Sequence, residues 1–192
     1  MSNTNRIAVA AALPRIFKEI TEVNAKWHLH PDGTPKPRDE EFEPRCILLM
    51  FSELMEAFEG IRKGNQPDSH LPQYPSESVE IVDLFIRGID FVVFADDTVL
   101  RKALLTNIHN DSTTRAIAGL SKIEFYAMVT MILNKAYDDV NVGIASLIDT
   151  VIAYCDIHDI PLMEIYEAKM EYNRNRADHK AEARASVGGK QF

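Results

Sequence analysis

The stretch Val79-Glu80-Ile81-Val82-Asp83-Leu84-Phe85-Ile86-Arg87-Gly88-Ile89-Asp90-Phe91-Val92-Val93-Phe94 decides the fold. Glu80, Asp83, Arg87 and Asp90 recur at steps of three and four, so they share one stripe of a helix, and nearly everything else is apolar. A helix with so wide an apolar arc is buried on most sides, so other helices must cover it. Apolar periodicity predicts them over about 6–25, 39–63, 98–108, 121–137 and 141–158. A last one has Pro161 in its first turn and reaches about Arg176. Ser76 is the expected N-cap of the helix over 76–94. The loops at 28–37 and 66–75 each hold three prolines, which end helices. The polar residues up to 114 read as linker, and 177–192, with Gly188-Gly189, as a loop or loose tail. Strand-like alternation is hard to find. The expectation is one all-α bundle over 1–192.

Composition narrows the function. An apolar share of 46% supports a real core, and a net charge of −8 argues against broad contact with a phosphate backbone, so no nucleic-acid partner is expected. The acidity is uneven: the tail from Lys169 carries Arg174, Arg176, Lys180, Arg184 and Lys190, and a basic tail on an acidic body could meet an anionic ligand. Cys46 and Cys155 lie far apart in apolar stretches and read as small hydrophobes in a reducing compartment. The apolar run from Ile7 to Leu13 is too brief to cross a bilayer. A cytoplasmic protein without a membrane partner is the expectation.

On the wheel of the 39–63 helix, Glu41, Arg45, Ser52, Glu59 and Lys63 share a solvent arc. Glu53 points a quarter turn or more away from it, among Phe42, Cys46 and Leu49, and Glu56 falls between the two arcs. An inward carboxylate is costly unless something charged meets it. Alone, Glu53 reads as a buried acid paired with a basic residue, and the 80–90 stripe as a thin solvated seam with Asp83 and Arg87 paired at i, i+4. Together the two helices read differently. Glu53-x-x-Glu56 and Glu80-x-x-Asp83 each put two carboxylates on one face, and antiparallel helices would bring the pairs together. Four converging carboxylates repel unless cations neutralise them, and hard divalent ions such as Mg²⁺ or Mn²⁺ suit oxygen ligands. Carboxylate-bridged iron uses Glu-x-x-His pairs, and no His lies three residues after a Glu.

At these residues the chain resembles the all-α NTP pyrophosphohydrolase superfamily, the group of MazG and the dimeric dUTPases. Ser-Glu-Leu-Met-Glu-Ala-Phe-Glu (52–59) and Glu-Ile-Val-Asp-Leu-Phe-Ile-Arg-Gly-Ile-Asp (80–90) match its paired motifs, with 23 residues between Glu56 and Glu80. Lys-Met-Glu-Tyr-Asn-Arg-Asn-Arg (169–176), Asp178-His179-Lys180 and Gly188-Gly189-Lys190 are similar to the family's third block and its Gly-Lys tail. Without the resemblance, 169–176 is an ordinary charged helix end. The pattern leaves out about 96–139, which reads as an insertion.

The resemblance implies a four-helix-bundle core with extra helices, and hydrolysis of a nucleoside triphosphate to monophosphate and pyrophosphate. It implies Mg²⁺ on Glu53, Glu56, Glu80 and Asp83, with Glu53 or Glu56 as the catalytic group that orients the attacking water or takes its proton. Lys169 and Arg176 would bind phosphate, Asn173 sugar or base, and Arg87 and Asp90 would support the ligands from behind. Small members assemble as dimers or dimers of dimers, and the wide apolar arcs of the helices around Glu53 and Glu80 give a residue-level reason to expect a homo-oligomer, unless 96–139 folds back and covers them within one chain. Trp27 reads as a core cap or a base-stacking ring, and the scattered histidines suggest no site. The rival reading is a non-catalytic helical bundle for interaction or nucleotide sensing.

Overall fold

The computed structural model describes residues 3–30, 32–95, 97–110 and 112–176. They form α1 (Thr4–His28), α2 (Phe42–Arg62), α3 (Ser76–Phe94), α4 (Thr98–Ile108), α5 (Ser112–Ile117), α6 (Lys122–Lys135), α7 (Val140–Ile157) and α8 (Leu162–Asn175). The only β-type pairings among the described residues are two isolated bridges, Leu29 with Pro35 and Pro67 with Pro75, so the fold is all-α.

Two apolar helices, α3 and α7, lie against each other at the centre. Around α3 pack α1, α2 and α8; around α7 pack α1, α4, α5 and α6. Each central helix is apolar on nearly every side because each has neighbours on nearly every side. By length and mean hydropathy (1.5) α7 could cross a membrane, but 72% of it is buried inside the bundle. Its charges are bound there: Asp149 pairs with Arg6, and the Asp156 carboxylate accepts the Asn5 backbone N–H at 2.8 Å, satisfying the first turn of α1. Helices α2 and α3 run antiparallel, since Glu53 meets Arg87 at one level and Gly60 meets Glu77 at another.

Several expectations need correction. The first helix runs three residues further, to His28, with Pro14 inside it, and the second begins at Phe42. Pro75, not Ser76, holds the N-cap position of α3, and the Asn65 side-chain oxygen accepts the Glu77 N–H at 2.9 Å instead. Pro161 likewise precedes the first turn of α8. The end of the expected linker instead begins a helix, Ser112–Ile117, which buries Thr114 and Ile117 beside α7. Its polar sequence hides an amphipathic turn too short to show a period. Of the two helices expected to stay partly uncovered, α3 is closed within the chain, whereas α2 leaves Leu48 and Met55 exposed. Further exposed large apolar side chains include Ile123 and Met131 on α6. The tail motifs at 178–180 and 188–190, with Arg184, lie outside the described residues.

The α6–α7 corner is close-packed. A Cβ on Gly143 would stand 2.6 Å from the Ala136 Cβ and 2.7 Å from its Cα, and backbone cannot swing aside. Gly143→Ala therefore destabilises the protein by about 1–3 kcal/mol despite alanine's better helix propensity. A lower chemical-denaturation midpoint checks this; an unchanged or higher one contradicts it.

Candidate metal centre

The inward position of Glu53 on α2 and the spacing of Glu80 and Asp83 on α3 bring three carboxylates together. Each offers one oxygen, and these oxygens lie within 4.8 Å of one another. Glu56 stands outside this group: it is exposed, and its carboxylate accepts the Ser52 hydroxyl at 2.9 Å. Its place between the two arcs of α2 resolves toward solvent.

Two cations enter the cluster. Arg87 Nε donates to Glu53 Oε1 at 2.9 Å, so Arg87 reaches across to α2 rather than pairing directly with Asp83 one turn back. Lys169 Nζ, from α8, lies 2.5 Å from Asp83 Oδ2, and only 5% of the residue is exposed. Sequence reading aimed Lys169 at phosphate; the structure places it on a proposed ligand. Asn173, one turn further along α8, has a buried amide oxygen with no hydrogen-bond partner among the described residues. Arg176 follows the end of α8, its guanidinium 5.6 Å from the centre of the Tyr172 ring.

Three carboxylates thus face two cations, and no ion pair among the described residues falls on Glu80. Burial, and then the neighbouring Asp83, push the Glu80 carboxyl up to about 8, although Lys169 pulls the other way. Burial and then Asp83 also raise Glu53. Burial raises Asp83 against the opposing pull of Lys169. Lys169 itself is pushed down by burial and up, on balance, by Asp83. Three hard oxygen donors with a charge deficit of this kind could hold a metal ion.

Beyond Arg87 lies a cavity of about 470 Å³, lined by Trp27, His28, Phe42, Arg45, Arg87 and Asp90 among others. Asp90 is held by Asn24 Nδ2 at 2.8 Å and His28 Nε2 at 2.9 Å, and the His28 ring stacks on Phe94 with centroids 3.9 Å apart. Asn24 and His28 are one turn apart on α1, so both reach Asp90 from one face. The loop at 32–41 forms part of the wall. Lys36 Nζ donates to the Trp27 carbonyl at 3.0 Å, and Arg38 donates to the carbonyls of Phe94 and Ala95, so cations meet the C-terminal ends of α1 and α3. Trp27 is half-buried and forms part of this wall. Cys46 lines the same cavity as a free thiol, pushed up to about 12 by burial. Sequence reading also missed Asp68, buried in the α2–α3 loop. Its carboxylate accepts the His70 and Leu71 N–H groups at 2.9 and 2.8 Å, and it adds negative charge near Asp83 and Lys169.

The pH dependence follows with a definite sign. Glu80 titrates at about 8 in the folded chain against an ordinary 4.5, so the folded state binds the extra proton between those values. Its contribution to stability is complete below the ordinary value and is lost as pH rises through about 8; the upward shifts of Glu53 and Asp83 have the same sign. Metal-free protein should therefore melt at a lower temperature near pH ~9 than near pH ~6, and Glu80→Gln should flatten that slope. Thermal melts with chelator present test this; a slope unaltered by the substitution would detach it from Glu80.

Comparison with protein-family models, with curated proteins and with solved structures found no match to the chain.

Proposed function

We propose that the chain is a Mg²⁺-dependent nucleoside triphosphate pyrophosphohydrolase with a MazG-like four-helix core, to which α4–α6 are added. The observation that carries this reading is the cluster of Glu53, Glu80 and Asp83, three carboxylates from two helices with too little positive charge to balance them. The donors fit Mg²⁺, or Mn²⁺, by chemistry: all are hard oxygens. When bound, the ion supplies charge neutralisation on phosphate oxygens and a lowered pKa for water.

The chain's own residues do the rest in this reading. Arg87 orients Glu53 and Lys169 orients Asp83. Glu53 or Glu56 takes the proton of the attacking water; exposed Glu56, steadied by Ser52, is the freer of the two. The cavity beside Arg87 takes the nucleoside between its aromatic walls. Asn173 turns its unpartnered amide oxygen to sugar or base, Arg176 binds phosphate, and Asp90 fixes the cavity floor through Asn24 and His28. Two free thiols fit a cytoplasmic setting. The exposed Leu48, Met55, Ile123 and Met131 are the surface for a homodimer or dimer of dimers.

One observation favours the rival, a non-catalytic bundle that senses nucleotides: two of the three carboxylates already have a cation. Calorimetry with Mg²⁺ or Mn²⁺, then pyrophosphate release from a panel of deoxynucleoside triphosphates, separates the two. Glu53→Gln should lower release by about 100-fold or more with the helical circular dichroism spectrum intact. Near-normal turnover in that variant would remove Glu53 from the site, and binding without release from any triphosphate would favour the sensor.

A further inference from the structure

The carboxylate helices meet at a corner built around a fourth buried acid. Glu77, one turn before Glu80 on α3, is 1% exposed. Asn65 clamps it: the amide oxygen accepts the Glu77 N–H, and the amide nitrogen donates to Oε2 at 3.2 Å. Asn65 can do so because the chain turns through positive φ at Gly64 (80°) and Asn65 (50°), directly after α2. At the same corner a Cβ on Gly60 of α2 would stand 3.0 Å from the Glu77 nitrogen, so the two helices are in close contact there. Tyr154 of α7 donates its hydroxyl to Glu77 Oε1 at 2.5 Å; burial and then that hydrogen bond raise the Tyr154 hydroxyl, and burial and then the Glu77 charge raise that of Tyr126. An amide and a hydroxyl do not neutralise a carboxylate. The neutralising group is Lys122, whose Nζ lies 2.5 Å from Glu77 Oε2. Lys122 is the first residue of α6, fixed there by the capping box of Ser121 and Glu124. It comes from the 96–139 segment, which the sequence pattern of the carboxylate motifs leaves out.

We propose that Lys122 is a positioning residue for the carboxylate centre: through Glu77 it sets how the start of α3 seats against α2, and so where Glu80 and Asp83 stand relative to Glu53. The added helices are then a working part of the site. Lys122 and Asn65 both hold Glu77 Oε2, and Glu77 stands one helical turn before Glu80, so the seating of that turn depends on the pair. The inference rests on the metal-centre reading above. It touches no ligand directly, and Lys122 is outside both the cluster and the cavity.

The test is Mn²⁺ binding, by electron paramagnetic resonance and calorimetry well below the melting temperature, for the parent, Lys122→Met, Lys122→Arg and Glu77→Gln. Lys122→Met and Glu77→Gln should each weaken Mn²⁺ binding about tenfold with helicity retained, and Lys122→Arg should keep most of the parent affinity. Glu77→Gln keeps the shape and leaves no buried charge, so it stands as the folded comparison where Lys122→Met loses its fold. Parent-like Mn²⁺ affinity in Glu77→Gln, with only a lower melting temperature, overturns the positioning role and leaves the metal centre standing. No Mn²⁺ binding by the parent itself overturns the metal-centre reading, and the positioning role with it.

Discussion

Burying negative charge between α2, α3 and α8 is the constraint on which the rest of this structure depends. A carboxylate in a helix interface is costly, and removing one partner of a buried pair costs about 3–5 kcal/mol. The chain meets that cost piecewise. Arg87 comes from the same stripe as Asp83 but crosses to Glu53; Lys169 is brought in by α8, and Glu80 is left with its carboxyl raised. The bundle must therefore deliver α8 to α3, and the last helix runs along α1 and α3. Around this polar seam the apolar faces of α3 are closed by α1, α7 and α8.

What could be read from the sequence divides along physical lines. The helix over 76–94 was legible because its polar residues fall on one stripe, and its end at Phe94 came out correctly. Glu53 was legible because the wheel turned it inward. Glu56 was not, because a position between two arcs has no preferred side until neighbours are placed; the neighbours left it in solvent with Ser52. The partners of the charges were least legible. Asp83 and Arg87 have good i, i+4 spacing, but Glu53 of α2 lies within reach of Arg87, and tertiary contact outweighs a local pair worth about 0.2–0.5 kcal/mol. Asn24 and His28 were hidden by residue type, since a lone histidine carries no period and its meaning came from Asp90, 62 positions away.

The added segment shows the same division. Its capping box at Ser121 and Glu124 marks the start of α6 clearly, yet nothing local indicates that Lys122 lies on Glu77, 45 positions earlier. The strongly apolar α7 is explained by that segment as well. Helices α4, α5 and α6 all pack on α7, so the apolar faces of α7 that do not meet α3 or α1 are covered by the added elements. Removing them would expose α7 and unbind Glu77 together, which ties the packing of the core to the charge balance beside the cluster.

The two cations beside the cluster differ in kind, and the proposed function uses the difference. Lys169 is a point charge whose single nitrogen is committed to Asp83 at 5% exposure, so it serves chiefly to hold that carboxylate. Arg87 is a planar fork: one nitrogen binds Glu53, while the residue also lines the cavity. A divalent ion among the three carboxylates would take over part of the neutralisation that both cations now provide. The buried lysine would still be held by its surroundings, whereas the Arg87 guanidinium, on a residue that also lines the cavity, would have its charge less compensated. In that arrangement the metal and the anionic part of a nucleotide favour each other through Arg87. The cluster and the cavity would then act as one site because a single arginine residue borders both.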